Sequence, residues 1–128
     1  WLAAGSGNGF TALLLRNLRI QFYRGAGADY NYSAQSLSYN DGNWHNLTLI
    51  RNGTSTISTY LDTIDRSIAY AYGSGNLDTK LTFIGDDGGT WGTAVPYNGN
   101  MGPISFYNRV LTTLEISQNY NQLKPRFT

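Results

Sequence analysis

The chain has 128 residues, enough to bury one core and too few for two, so a single domain spanning 1–128 is expected. Charged residues make up 13% of it, against about 25% in ordinary soluble domains, and the net charge is +1, so the clustered Lys and Arg that nucleic-acid binding needs are missing. Cysteine is absent, which excludes disulfide frameworks and thiolate metal sites, and no apolar run approaches the roughly 20 residues that span a bilayer.

Short alternating runs separated by Gly, Asn, Asp and Ser clusters recur along the chain, the pattern of an all-β sandwich. The opening "WLAAGSGNGF" has no initiator Met and reads as the start of a module from a longer polypeptide. "TALLLRNLRIQFYR" predicts two short strands around Arg16 and Asn17, with Ile20 and Phe22 on one face and Arg19, Gln21 and Tyr23 on the other. "GAGADYNYSAQS" reads as a loop. "NLTLIR" predicts a strand with Leu47 and Leu49 inward and Thr48 outward. "STISTYLD" follows the turn "RNGT" and completes a hairpin, placing Ile57, Thr59 and Leu61 on one face. "SIAYAY" alternates Ile68, Tyr70 and Tyr72 with alanines, and "KLTFIG" offers Leu81 and Phe83. "GDDGGTWGTAVPYNGN" is a second long loop. Beyond it "NMGPISFYNR" predicts a strand with Ile104 and Phe106 inward, Pro103 standing near its start where a missing N–H is tolerated. The single helix signal is "LTTLEISQNYNQL", where Thr112 and Glu115 have capping-box spacing; about two turns are expected, with Pro125 as a stop.

Two of these segments carry a resemblance. "DGNWHNLTLIRNG" with the following "YLD", and "YNGNMGPISFYNRVLTTLEISQNYNQLKPRF" at the end, resemble the laminin-G-like branch of the concanavalin A-like lectin/glucanase superfamily, with "LTFIGDD" similar to a strand between them. The resemblance covers Asp41 to Phe127. It implies two antiparallel sheets packed face to face as a jelly roll, with one short helix near the C-terminus. Thr63 departs from the family pattern, which has Gly at that hairpin position. The family's first strand is not recognisable ahead of "WLAAGSGNGF", and its absence would leave an exposed sheet edge for self-association or a neighbouring chain.

The resemblance also implies a role for His45, the only histidine, as a structural residue on the strand, with Trp44 packed under a neighbouring loop. Glucanases of the superfamily need two carboxylates flanking the scissile bond, often in an E-x-D-x-E run, and this chain has one Glu, Glu115, already assigned to the helix cap. No nucleophile, phosphate-loop or dinucleotide motif is present. Asp86 and Asp87 at a strand end are oxygen ligands of the kind Ca²⁺ takes, and laminin-G-like domains often hold calcium at this rim; adjacent Asp residues before Gly-Gly are also ordinary turn formers. Asp62 reads as part of a hairpin turn.

Sugar recognition needs an aromatic platform with amides and hydroxyls beside it. Trp91, Tyr97, Asn98 and Asn100 in one loop, and Tyr30 and Tyr32 in the other, are the candidate ligand residues. The expected function is a non-catalytic recognition module for a glycan or protein surface, extracellular or on a cell or virion surface. The alternative is an assembly subunit such as a virion decoration or fibre protein.

Overall fold

The fold, obtained as a computed structural model, is described over residues 2–4, 11–16, 19–24, 29–32, 37, 39–52, 56–67, 83–84 and 97–127. Its strands are β1 Leu2–Ala4, β2 Thr11–Arg16, β3 Arg19–Arg24, β4 Asp29–Tyr32, β5 Leu47–Asn52, β6 Thr56–Leu61, β7 Ile64–Asp65 and β8 Phe83–Ile84, followed by helix α1, Thr113–Leu123, and a 3-10 turn, Lys124–Arg126. Among the described residues they form an antiparallel sheet of order β4-β3-β2-β1-β8 and a second of order β5-β6-β7.

Register explains the sorting of the first sheet. Leu2 pairs with both Leu13 and Ile84, Leu13 with Phe22, and Leu15 with Ile20. Paired residues share a face and neighbours along a strand alternate, so Leu2, Leu13, Leu15, Ile20, Phe22 and Ile84 form an apolar row of positions on one face across four strands, with Thr11 and Arg24 farther along it. The predicted hairpin around Arg16 and Asn17 is therefore observed, with Ile20 and Phe22 on the expected face and the pairing closing at Arg16 and Arg19.

The β5–β6 hairpin buries side chains on both faces. Leu47 pairs with Leu61, and this face packs with Leu37 and Tyr39. Ile50, one residue out of phase with Leu47 and Leu49, lies on the opposite face in a cluster with Leu111 and Ile116, with Tyr60 packed against it. Each such side chain removed from water contributes about 1.5–3 kcal/mol. Past β6 the ladder is continued partly by side chains: Arg66 N–H donates to the Thr59 carbonyl at 2.8 Å, and Thr59 N–H donates to Ser67 Oγ at 2.9 Å. Thr59, buried within the sheet, thus has its backbone groups paired.

Helix α1 starts where the capping box predicts. Glu115 N–H donates to Thr112 Oγ1 at 3.3 Å, and Thr112 N–H donates to Glu115 Oε2 at 2.8 Å. Arg109 adds an ion pair to Glu115 at 2.6 Å, and Arg109 first and the Thr112 bonds next hold the Glu115 carboxyl down at about 2. The helix runs eleven residues, three turns rather than the expected two, because Ile116 gives it an apolar contact on the hairpin and its backbone continues until Pro125, which occupies the start of the 3-10 turn.

Three expectations change. "GAGADYNYSAQS" contains strand β4, paired with β3 from Arg24–Asp29 to Gln21–Tyr32, so Tyr30 and Tyr32 belong to a sheet rather than a loop. The strand expected after Pro103 is not formed: residues 101–110 follow an irregular path, and Ile104 and Phe106 are exposed, 42% and 66%. Alternation was read there without a neighbouring strand to satisfy its backbone. His45 precedes β5 instead of lying on it. The strand expectations at "SIAYAY" and Leu81 lie outside the described residues.

Because Ile116 is 1% exposed and joins the helix to the hairpin, Ile116→Ala is expected to lower unfolding free energy by about 2–5 kcal/mol, whereas Thr112→Ala, which removes only a cap, costs about 1 kcal/mol. Urea melts of the two variants at equal temperature check the order.

Candidate functional site

The best-defined polar cluster lies where the chain enters β5 and leaves β6. Asp62 and Thr63 form the two-residue turn between β6 and β7, with φ of 50° and 75°, the positive values at both positions that an I′ hairpin turn requires. This fixes Asp62 beside Asn46, whose N–H donates to Asp62 Oδ1 at 2.8 Å, while Asp62 N–H donates to the Asn46 carbonyl at 2.9 Å. The other Asp62 oxygen, Oδ2, lies 2.6 Å from His45 Nδ1. On the far side of the ring, His45 Nε2 is 3.0 Å from Asp41 Oδ1, which also accepts the Asn43 N–H at 2.9 Å across a bend whose Gly42 has φ 86°. His45 is thus bracketed by two carboxylates.

The electrostatics follow. Burial is the largest influence on the imidazole and disfavours its charge, but the bonds and charges of Asp62 and Asp41 together outweigh it and raise its pKa. The His45 bond, then the Asn43 N–H, hold the Asp41 carboxyl well below the usual carboxylate range. Both ring nitrogens of His45 thus face carboxylates. No three His, Asp or Glu side chains converge on a cation position among the described residues.

Trp44, the residue before His45 and expected under a neighbouring loop, keeps much of its surface open. It is 43% exposed and rests on Phe127, ring centroids 4.6 Å apart and tilted by 34°. Phe127 in turn lies against the backbone of Gly102: a Cβ there would stand 3.0 Å from the ring. The bracket, Trp44, Phe127 and Gly102 form a continuous series of contacts reaching the segment that carries Tyr97, Asn98 and Asn100. In that segment Tyr97 is half-buried, its ring folded over Gly99, and Asn98 and Asn100 are exposed.

The other candidate ligand residues are placed by the first sheet. Tyr30 pairs with Tyr23, and Tyr32 with Gln21, so these four positions share the face opposite the apolar row of Leu13 and Phe22. Trp91, Asp86 and Asp87 lie outside the described residues.

The laminin G family model of the concanavalin A-like lectin/glucanases superfamily matches residues 1–117. The chain belongs to this superfamily. The match extends the resemblance of Asp41–Phe127 back across β1 to β4, and superfamily membership implies a β-sandwich, to which both described sheets would contribute. No curated protein and no solved structure matches the chain. Thr63, at the position where the resemblance implies a glycine, is a β-branched residue held at φ 75°.

Sequence reading assigned Asp62 to the turn and gave His45 no partners. The signals that could have found them are the four-residue spacing of Asp41 and His45 and the hairpin register, which sets Leu47 opposite Leu61 and so brings residues 45–46 to residue 62.

Left-handed backbone costs a non-glycine residue about 1–2 kcal/mol, and Gly gives back about 0.5–1 through unfolded-state entropy, so Thr63→Gly is expected to raise stability by about 0.5–1 kcal/mol. Thermal melts would register this as a Tm higher by a few degrees; an unchanged or lower Tm would show that Thr63 is unstrained.

Proposed function

We propose that the domain is a non-catalytic recognition module that binds carbohydrate through aromatic side chains, at the surface of a cell or particle or outside it. The observation that carries the reading is the shared face of Gln21, Tyr23, Tyr30 and Tyr32 on adjacent strands β3 and β4. Three phenols and a carboxamide on one sheet face match what a sugar offers: an apolar ring face for stacking and hydroxyls at its edge for hydrogen bonding. Superfamily membership supports a binding role, and with the two sheets packed through the positions of Leu2, Leu13 and Phe22 the tyrosines would face outward, together with Ala12, Leu14 and Phe83, which register sets on the same face. Tyr97, Asn98 and Asn100, with Trp91, form a second polar-aromatic segment available to the same ligand class. No helix among the described residues is long and apolar enough to cross a membrane.

A second reading, an assembly subunit, is favoured by one observation: β4 ends the described sheet order, so its outer backbone groups could pair with a neighbouring chain.

Glycan-array binding, run with and without calcium because of Asp86 and Asp87, separates the two. Binding by the unaltered chain that weakens about tenfold, 1.4 kcal/mol, in Tyr30→Ala or Tyr32→Ala supports recognition through the sheet face. Loss in Trp91→Ala or Tyr97→Ala alone moves the site to the rim segment. An array without signal, together with concentration-dependent oligomers in sedimentation, would replace recognition by assembly.

A further inference from the structure

We propose that Asp41, His45 and Asp62 form a proton-dependent latch, closed while His45 is an imidazolium, which ties the Asp41–Asn43 bend to the β6–β7 turn and steadies the Gly102 end of the Tyr97–Gly102 segment.

The argument is one of donors and acceptors. Nδ1 faces Asp62 Oδ2 at 2.6 Å and Nε2 faces Asp41 Oδ1 at 3.0 Å. Ionised carboxylates only accept, and a neutral imidazole has one N–H and one lone pair. It can therefore serve one carboxylate and must turn a lone pair toward the other, while the imidazolium donates to both. Two carboxylates at hydrogen-bond distance from one ring are both satisfied only by the charged form. On loss of the proton the weaker arm yields. That arm is Asp41: its contact is longer and its side chain 40% exposed, whereas Asp62 is 25% exposed and its second oxygen is held by the Asn46 N–H.

The bend that Asp41 closes leads directly into Trp44. Trp44 stacks on Phe127, and Phe127 lies on the Gly102 backbone. With His45 released from Asp41, the bend at Gly42 keeps, among the described residues, the Asn43 N–H bond to Asp41, and the Trp44 ring loses its tether on the N-terminal side. Among the described residues the charged groups acting on His45 are Asp62 from the hairpin turn and Asp41 from the bend, and the aromatic residues behind Trp44 add no charge.

The direction with pH follows from these partners. The His45 pKa in the fold is raised above its ordinary value of about 6.5, so its contribution is complete below about 6.5 and disappears as pH rises through the folded value. Asp41 acts with the opposite sign. Its carboxyl is depressed, so its contribution is complete above about 3.9 and disappears as pH falls through the lower folded value. The latch is closed in the mildly acidic range and opens toward alkaline pH.

Nuclear magnetic resonance titration of the whole chain from pH 5 to 9 tests this. The His45 imidazole is expected to titrate above about 6.5, with the Asn43 amide, the Trp44 indole N–H and the Gly102 amide shifting at the same midpoint. Hydrogen-exchange protection at Asn43 should fall about fivefold across it, because the bend keeps its Asn43–Asp41 bond but, untied from His45, opens more often. Asp41→Asn, which retains an acceptor for the Asn43 N–H, should bring the midpoint down. His45→Gln should abolish the coordinated shifts. An imidazole titrating at or below the ordinary value, a midpoint indifferent to Asp41→Asn, or a Gly102 amide that does not follow His45 would each overturn the proposal. None of these readouts involves a glycan, so the outcome is independent of the recognition reading.

Discussion

The β5–β6 hairpin is the constraint on which the described structure depends, because it is covered on both faces. A two-stranded hairpin is marginal by itself in water. Here Leu37 and Tyr39 close one side over Leu47 and Leu61, and Leu111 and Ile116 close the other over Ile50 and Tyr60. Double coverage also accounts for the local sequence. A strand with one wet face alternates, whereas "LTLI" places Leu49 and Ile50 in succession, since successive residues point to opposite faces and both are covered. The helix fits the same logic: eleven residues are too few to be stable alone, so the helix depends on Ile116 meeting Ile50.

The polar bracket follows from that hairpin. Leu47 opposite Leu61 forces the residue before β5 and the residue after β6 to the same end of the sheet, and the I′ turn aims Asp62 back at the entering chain. One carboxylate then serves two purposes. It satisfies the Asn46 N–H, which has no strand partner beyond β6, and it orients the His45 ring. An imidazole partly withdrawn from water is disfavoured as a cation unless such partners are present. The bracket is therefore a local solution to a strand end, whose protonation state is set by what it stabilises.

How much of this was legible in the sequence depends on whether the signal was local. Thr112 and Glu115 announced the helix start because a capping box is formed by residues three apart, and "RIQFYR" gave its two faces because alternation is a property of one strand. Strand β4 was hidden because Asp29, Tyr30, Asn31 and Tyr32 are all polar or amphipathic, and only pairing with β3 shows that Tyr30 and Tyr32 extend the face of Tyr23 and Gln21. Ile50 was unassigned because its partners, Leu111 and Ile116, lie some sixty residues on. At Ile104 and Phe106 the reverse happened: alternation was present, but alternation alone does not supply the neighbouring strand whose hydrogen bonds make a β-strand.

Superfamily membership leaves catalysis and recognition equally compatible with the sheets, since a fold hosts many functions and only a site distinguishes them. The acids of the described residues bear on that distinction. Hydrolysis of a glycosidic bond needs one carboxyl group kept protonated near neutrality, hence a pKa pushed upward. Asp41 and Glu115 are displaced the other way, by His45 and by Arg109 respectively. Asp62 is occupied by Asn46 and His45, and Asp65 accepts the Ser67 N–H at 2.7 Å. Each of these carboxylates accepts hydrogen bonds at a turn, a bend or a helix end. The tyrosines of β3 and β4 have no such structural assignment from register. Register sets Tyr23, Tyr30 and Tyr32 on the face opposite Leu13 and Phe22, beside Ala12, Leu14 and Phe83, and a face that combines phenols with aliphatic positions is what the carbohydrate proposal puts to the test.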